Sequence, residues 1–449
     1  MQRLYEPQAY TSHVGSYWET TAPPQTWPIL NGNKRAKVII IGGGYTGLNC
    51  ALKLASSGLD PASIVILEAQ QPGWGASGRN GGFCCLGGSK LTTDQAIKRF
   101  GETETYDYVQ AQKTSIETVR NNLSQYNIEA DTHSQGETQL AYKPEQVAAL
   151  EAEKLQLKSL FDVDCHLTSK SEMSAEGIQS PDFHGALTNP LGFALNPMKY
   201  VLGLSKAVSD IGVQTFGNSP AVKMEQVNGE HLVTTPYGSI SAKHLVIATN
   251  GYSSEDLPNW LSGRLMPVLT NIIATRPLTP QELTDQGWTS HQMCYDTRHS
   301  LHYFRLILGI NDEGPRMLFG MRGGISASDE SNKIRLRKIR SDFERIFPAW
   351  QNVETPYFWS GLVCLTRNLT SYTGPIPEME NAWASLAYHG NGVAMASHCG
   401  TLLADMIAET INPKTIPAQM RQPPKHFPFP SLRRTYLQAA FKWYEWLDK

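Results

Sequence analysis

The stretch "KVIIIGGGYTGLNCALKLASSG", Lys37–Gly58, decides how the rest of the chain is read. "KVIII" is a continuous apolar, β-branched run of the kind a buried parallel strand needs. The glycines that follow sit at Gly42-x-Gly44-x-x-Gly47. The first permits a tight turn, the second lets backbone approach a pyrophosphate, and the third lets a helix pack close to the sheet. Leu48, Leu52 and Ala55 then recur at helical spacing, and Gly58 supplies a stop. "SIVILEA", Ser63–Ala69, is a second buried strand, which completes a βαβ unit of about 30 residues. Glu68 ends that strand about 20 residues after Gly47, where a carboxylate binds ribose hydroxyls and repels a 2′-phosphate.

Outward from this unit the chain alternates. Residues 96–184 are polar and amphipathic, with a helix expected over Val147–Leu160. Asn196 caps a helix that has Pro197 in first position, and Gly212 precedes a strand over Val213–Phe216. A hairpin is expected through Asn228-Gly229, then a buried strand over His244–Tyr252. A basic helix covers Asn332–Phe347. The tail is proline-rich from Pro417 to Pro430 and then amphipathic and aromatic. At 449 residues the chain exceeds one typical core, which suggests two or three domains, and the alternation of nucleotide-type units with other stretches suggests two interleaved ones.

The loop "GWGASGRNGG", Gly73–Gly82, shows neither a helical nor a strand period. Its backbone N–H groups, Ser77 and Asn80 suit a flat, anionic, extended ligand, and Arg79 offers one fixed charge. A plain NAD domain continues into another helix and strand after its ribose acid. This loop instead points to FAD.

With "IIIGGGYTGLNCALKLA", "VILEA", "GASGRNGGF", "VIATNGY" and "AYHGNGVAMASHCGTLLADMI", the sequence resembles the FAD-dependent D-amino-acid-oxidase superfamily. "SYW" (Ser16–Trp18), "YDTRHSLHYFRL" and "WSGLVCLTRN" place the likeness in its gamma-glutamylputrescine oxidase branch. The resemblance implies an α/β Rossmann-like FAD-binding domain assembled from residues 35–95, 185–265 and 355–412. An α+β substrate domain, a sheet with flanking helices, is implied for 96–184 and 266–354. Residues 1–34 form an extension, and 413–449 form a tail packed on the FAD domain.

Cofactor contacts are expected from Gly42, Gly44, Tyr45, Thr46, Gly47, Glu68, Ala69, Ala76, Ser77, Arg79, Asn80, Gly81, Gly82, Thr249 and Gly251. "HGNG" adds Gly390, Asn391, Gly392 and Val393, with the following helix N-terminus facing the flavin pyrimidine, where reduced flavin gathers negative charge. Candidate catalytic residues are His389, Tyr303 and Arg305. Candidate substrate contacts are Tyr295, His302, Tyr303, Arg305 and Arg322, in which an aromatic ring beside an arginine holds an amine chain and anchors a carboxylate. Cys84, Cys85 and Cys364 are candidates for flavin attachment by location alone. No lysine is matched to an oxygen-activating role.

The implied reaction passes a hydride from an amine's C–H to flavin N5, giving an imine, then an aldehyde, with O2 or another acceptor reoxidising the flavin. The expected partner is a small-molecule amine. A sarcosine or D-amino-acid oxidase or dehydrogenase is the enzymatic rival, and a non-catalytic flavin-binding subunit is the rival of another class. A formal net charge of −2 does not favour nucleic acid. The basic run "KIRLRKIRSDFERIF" is interrupted by Asp342 and Glu344. No run of about 18 apolar residues predicts a membrane span. Seven cysteines, an odd number, suggest a reducing, cytoplasmic setting. The histidines show no ligand spacing for a metal.

Overall fold

The computed structural model describes residues 2–11, 14–310 and 313–449. Its first sheet centres on strand Gly32–Ile41, flanked by Gly238–Ile247 on one side and Ile64–Leu67 on the other. Gln214–Phe216 and Ala382–Leu386 extend it, and all five strands run parallel. Tyr372–Pro375 closes one edge antiparallel. The expected βαβ unit is present, but its first strand begins at Gly32 rather than Lys37. Residues 32–36 are mostly exposed and escape the hydrophobic pattern, yet pair with Gly238–Ala242.

Helix Tyr45–Ser56 follows the glycine turn, and Gly58, with φ +93°, ends the element. Asn196 caps helix Pro197–Asp210 by accepting from Met198 N at 3.1 Å and Lys199 N at 3.2 Å. The hairpin turns at Asn228 and Gly229, both at positive φ, joining Lys223–Val227 to Glu230–Thr234. The strand expected over 244–252 is longer at its start and shorter at its end. It stops at Ile247, and Asn250–Tyr252 forms a 3-10 turn. Asn250 sits at φ +43°, and its side-chain oxygen accepts from Ala387 N at 2.8 Å, which ties this turn to the segment before His389.

The second sheet has eight strands, in the order 357–366, 265–274, 316–322, 302–307, 293–296, 137–140, 185–189 and 166–169. Gly185–Asn189 and Tyr357–Thr366, expected with the flavin-binding segments, pair here instead. Backbone hydrogen bonds to Glu137–Leu140 and Leu265–Ala274 put them there. One face packs on helix Asp329–Ile346 through Phe304, Phe319, Phe343, Phe347, Trp288 and Trp350, all fully buried. The Phe304 and Phe319 rings stack at 5.5 Å, and Phe347 and Trp350 at 5.0 Å. The other face looks toward the first sheet.

The tail divides its contacts. Ala418 N and Arg421 bond Glu104, which fixes the proline-rich part to helix Glu102–Gln125. The last helix, Arg433–Leu447, lies beside the second sheet, contrary to the expected packing on the flavin side. Leu437 packs with Met266 and Val268, Glu445 pairs with Lys338, and Asp448 accepts from the His299 and Ser300 N–H groups at 2.8 Å. All seven cysteines are free and buried. No helix among the described residues is long and apolar enough to cross a membrane.

Trp350→Ala, which empties the aromatic layer under the second sheet, is expected to lower the unfolding free energy by about 3–5 kcal/mol in denaturant titrations.

Candidate active site

A cavity of about 1100 Å³ runs from the Gly42–Thr46 turn, between the sheets, to the last helix. Its first end is made by missing side chains. Gly42 has φ +113°, and a Cβ there would lie 2.7 Å from Ala248 O. A Cβ on Gly44 would meet Ser77 Oγ at 2.8 Å, and one on Gly47 would meet Gly42 O at 2.0 Å. Gly47 therefore brings helix and turn together and does not itself line the cavity. Glu68 stands beside the turn, its oxygens accepting from Gly43 N at 2.8 Å and Gln70 N at 2.9 Å. Burial raises its pKa, opposed by these backbone donors. Each oxygen keeps a lone pair for a ribose hydroxyl.

The Gly73–Gly82 loop is not irregular throughout, since Ala76–Arg79 forms one helical turn. Glycine makes it possible, because a Cβ on Gly78 would strike Gly73 O at 2.0 Å. Ala76, Ser77, Asn80 and Gly81 line the cavity. Ser77 Oγ accepts from Tyr45 N at 3.0 Å, joining the loop to the helix N-terminus. Asn80 holds the loop's shape through Ala76 O, Ser77 O and Gly82 N.

Arg79 does not face the cavity. Its side chain donates to Trp74 O and to Ser360 O (3.1 Å), and its guanidinium lies 4.0 Å from the Trp74 ring centre. The loop's fixed charge therefore braces it against the second sheet. Gly82 and Gly251 also lie outside the cavity lining, packed against Leu195 and Leu362.

At the middle of the cavity, helix Gly392–Ile407 presents its N-terminus, with no side chain capping it. His389, Gly390, Asn391, Gly392 and Val393 line this wall, and Thr249, Thr46 and Tyr45 line the cavity too. Thr46 Oγ1 and Tyr388 OH share a 2.6 Å hydrogen bond. His389 is buried at φ +54°, with Nε2 3.3 Å from Thr366 Oγ1 and Nδ1 without a hydrogen-bond partner among the described residues. Burial lowers its pKa to about 4, and Lys90 and Arg322 add to this, so the ring is neutral.

These residues fit FAD. The glycine cradle and carboxylate suit its adenosine diphosphate, and the helix N-terminus with His389 suits its ring. A family model described as "FAD dependent oxidoreductase" (DAO) matches residues 37–406, and the chain belongs to that family. It is 30% identical to a probable oxidoreductase OrdL of Haemophilus influenzae over 89% of each chain. It is 28% identical to the gamma-glutamylputrescine oxidoreductase of Escherichia coli over 98% of this chain and 99% of that one. Among solved structures, glycine oxidase from Geobacillus kaustophilus superposes with a TM-score of 0.70 at 17% identity. The match covers 87% of this chain and all of that one. The protein is an FAD-dependent enzyme.

Beyond His389 the second sheet supplies the wall. Tyr295 and Tyr303 face each other in register, Tyr303 packs edge-on to Phe83, and Arg322 lines the cavity nearby. Two expected contacts are absent from this wall. His302 points to the opposite face, its Nδ1 2.7 Å from Asp296 and its Nε2 3.3 Å from Asp342. Arg305 shares the face of Tyr303 but is covered by the loop. It donates to Gly81 O (2.9 Å) and Leu195 O (2.6 Å), and its third nitrogen lies 3.0 Å from His133 Nε2. A buried arginine with every arm engaged is a brace, so neither a catalytic nor a substrate role is assigned to it.

Of the cysteines, Cys85 and Cys364 line the cavity and Cys84 does not. Burial pushes all three thiols up, which disfavours the thiolate. The lining also includes Lys90, Glu137 and Glu153, none of which stands in a local motif. Lys90 Nζ has no hydrogen-bond or ion-pair partner among the described residues, and burial, with Arg322, lowers its pKa to about 8.

Gly44→Val places methyls on Ser77 and is expected to abolish FAD retention, whereas Arg79→Met is expected to retain FAD but lower thermal stability. Flavin absorbance per protein after desalting, with a melting curve, checks both. Burial opposes the His302 charge, but Asp296 and Asp342 outweigh it and raise the pKa to about 9. An unperturbed histidine titrates near about 6.5. The stabilisation is therefore complete below about pH 6.5 and fades as pH rises through 9. The stability gap between wild type and His302→Gln is expected to narrow over that window in denaturant titrations.

Proposed function

We propose that this FAD-dependent oxidoreductase acts on the carbon–nitrogen bond of an amine that carries a carboxylate, of the gamma-glutamylputrescine type. The observation that carries this reading is the pair of cations, Lys90 and Arg322, without an ion-pair partner among the described residues, on the cavity wall beside Tyr303 and His389. Cations held inside a protein without an ion-pair partner in contact are costly, and a bound carboxylate supplies one. The full-length likeness to the Escherichia coli gamma-glutamylputrescine oxidoreductase supports the choice of amine.

FAD, when bound, supplies the hydride acceptor, which O2 or another acceptor restores. The chain's own contribution is positioning. Tyr303, Phe83 and Tyr295 offer apolar surface for an alkyl chain, and Arg322 offers a forked donor for a carboxylate. The neutral His389 ring and the uncapped helix N-terminus would stabilise negative charge gathering on a bound flavin, at no cost of reorganisation. The amine reacts in its neutral form, so the site has no need of a triad.

Anaerobic mixing with gamma-glutamylputrescine is expected to bleach the flavin absorbance, and Arg322→Met is expected to raise the half-saturating concentration at least about tenfold. Bleaching only by sarcosine-like amines would overturn the polyamine assignment. No bleaching by any amine would favour a non-catalytic flavin subunit.

A further inference from the structure

The cavity also holds negative charge that the reaction as described does not use. Glu137 opens the strand Glu137–Leu140, next to Met293–Asp296 and its Tyr295. Glu153 projects from the flanking helix Val147–Phe161. Both line the cavity, as does Gln139. With its amide nitrogen turned toward Glu153, Gln139 donates at 2.6 Å. Neither carboxylate has an ion-pair partner among the described residues. Burial raises both, Glu137 to about 7, with the Cys85 thiol and the nearby Lys90 working against it.

The unpaired Lys90 ammonium opens into the same space and interacts with Glu137, yet the two do not meet as an ion pair. A cavity that keeps opposite charges apart, none of them in an ion pair among the described residues, is arranged for a ligand bearing both. A substrate with only a carboxylate and the reacting amine leaves the acidic wall unmatched, because that amine must be neutral to react.

We propose that Glu137, assisted by Glu153, determines specificity by binding a second ammonium group of the substrate, distinct from the nitrogen that is oxidised. The substrate class is then an amine whose far end is an amino-acid zwitterion, with its carboxylate on Lys90 and Arg322 and its ammonium on Glu137. The inference rests on the functional reading above and adds the acidic contact to it. Gln139 fixes Glu153, and Tyr295 separates the acidic wall from Tyr303.

The test uses two compounds that lack the nitrogen to be oxidised, a butyl group standing in for the aminobutyl chain, so it does not depend on turnover. N-butyl gamma-glutamylamide carries the carboxylate and the α-ammonium, and N-butyl glutaramate carries the carboxylate alone. Calorimetric titration of the FAD-loaded enzyme is expected to favour the first by about 10- to 100-fold. Glu137→Gln, nearly isosteric, is expected to erase that preference, and Glu153→Gln, on a different element, to reduce it. Lys90→Met is expected to weaken both compounds while keeping their ratio. Equal binding of the two compounds by the wild type, no binding of either, or an unchanged ratio in Glu137→Gln overturns the inference. Failure of gamma-glutamylputrescine to bleach the flavin instead overturns the functional reading, and the two failures are read in separate experiments.

Discussion

Everything in the cofactor half depends on how closely the helix Tyr45–Ser56 can approach its surroundings. Gly47 lets its first turn rest on the Gly42 carbonyl, and a Cβ on Gly400 would lie 2.4 Å from Thr46 O. The helix is therefore clamped between the strand turn and the helix Gly392–Ile407 by the absence of two side chains. That clamp sets two helix N-termini around one cavity, one at the glycine cradle and one beside His389. Two partial positive charges aimed into a shared space suit a cofactor with a pyrophosphate and an electron-accepting ring.

The second sheet separates its two faces by chemistry. Alternation along His302–Ile307 sends His302 and Phe304 to the core and Tyr303 and Arg305 toward the first sheet. On the core face, His302 lies between Asp296 and Asp342, a charged group inside an aromatic layer, with a carboxylate beside each nitrogen. On the other face, Arg305 donates to the loop carbonyl of Gly81 and to Leu195 O, and Tyr303 is left open to the cavity. The division of labour between structural and ligand-facing residues follows from period two and from what covers each position.

Local pattern carried the parts that need local chemistry. The strand–glycine–helix turn, Glu68, the Asn196 cap and the Asn228-Gly229 turn are read from neighbouring residues, and the structure has each of them. Arg79, Arg305 and His302 were misread because an arginine or histidine looks the same in sequence whether it faces a ligand or a carbonyl. Their partners, Ser360, Leu195 and Asp342, lie far away along the chain. Lys90, Glu137 and Glu153 escaped for the converse reason, since three segments with no shared motif meet only when the second sheet forms. The domain limits expected at 185 and 355 differ from the sheet pairing for the same reason, because pairing partners are a tertiary property.

The order of strands in the first sheet carries a kinetic consequence. Gly32–Ile41 takes one neighbour from Ile64–Leu67, close in sequence, and the other from Gly238–Ile247, with the chain of the second sheet's first strands in between. Ala382–Leu386 completes the row later still. Contacts this distant must await closure of long loops, which slows folding and leaves strand edges open meanwhile. A ligand that spans the glycine cradle and the Gly392 helix bridges the earliest and the latest of these segments. Its presence during folding would reward the slowest step most.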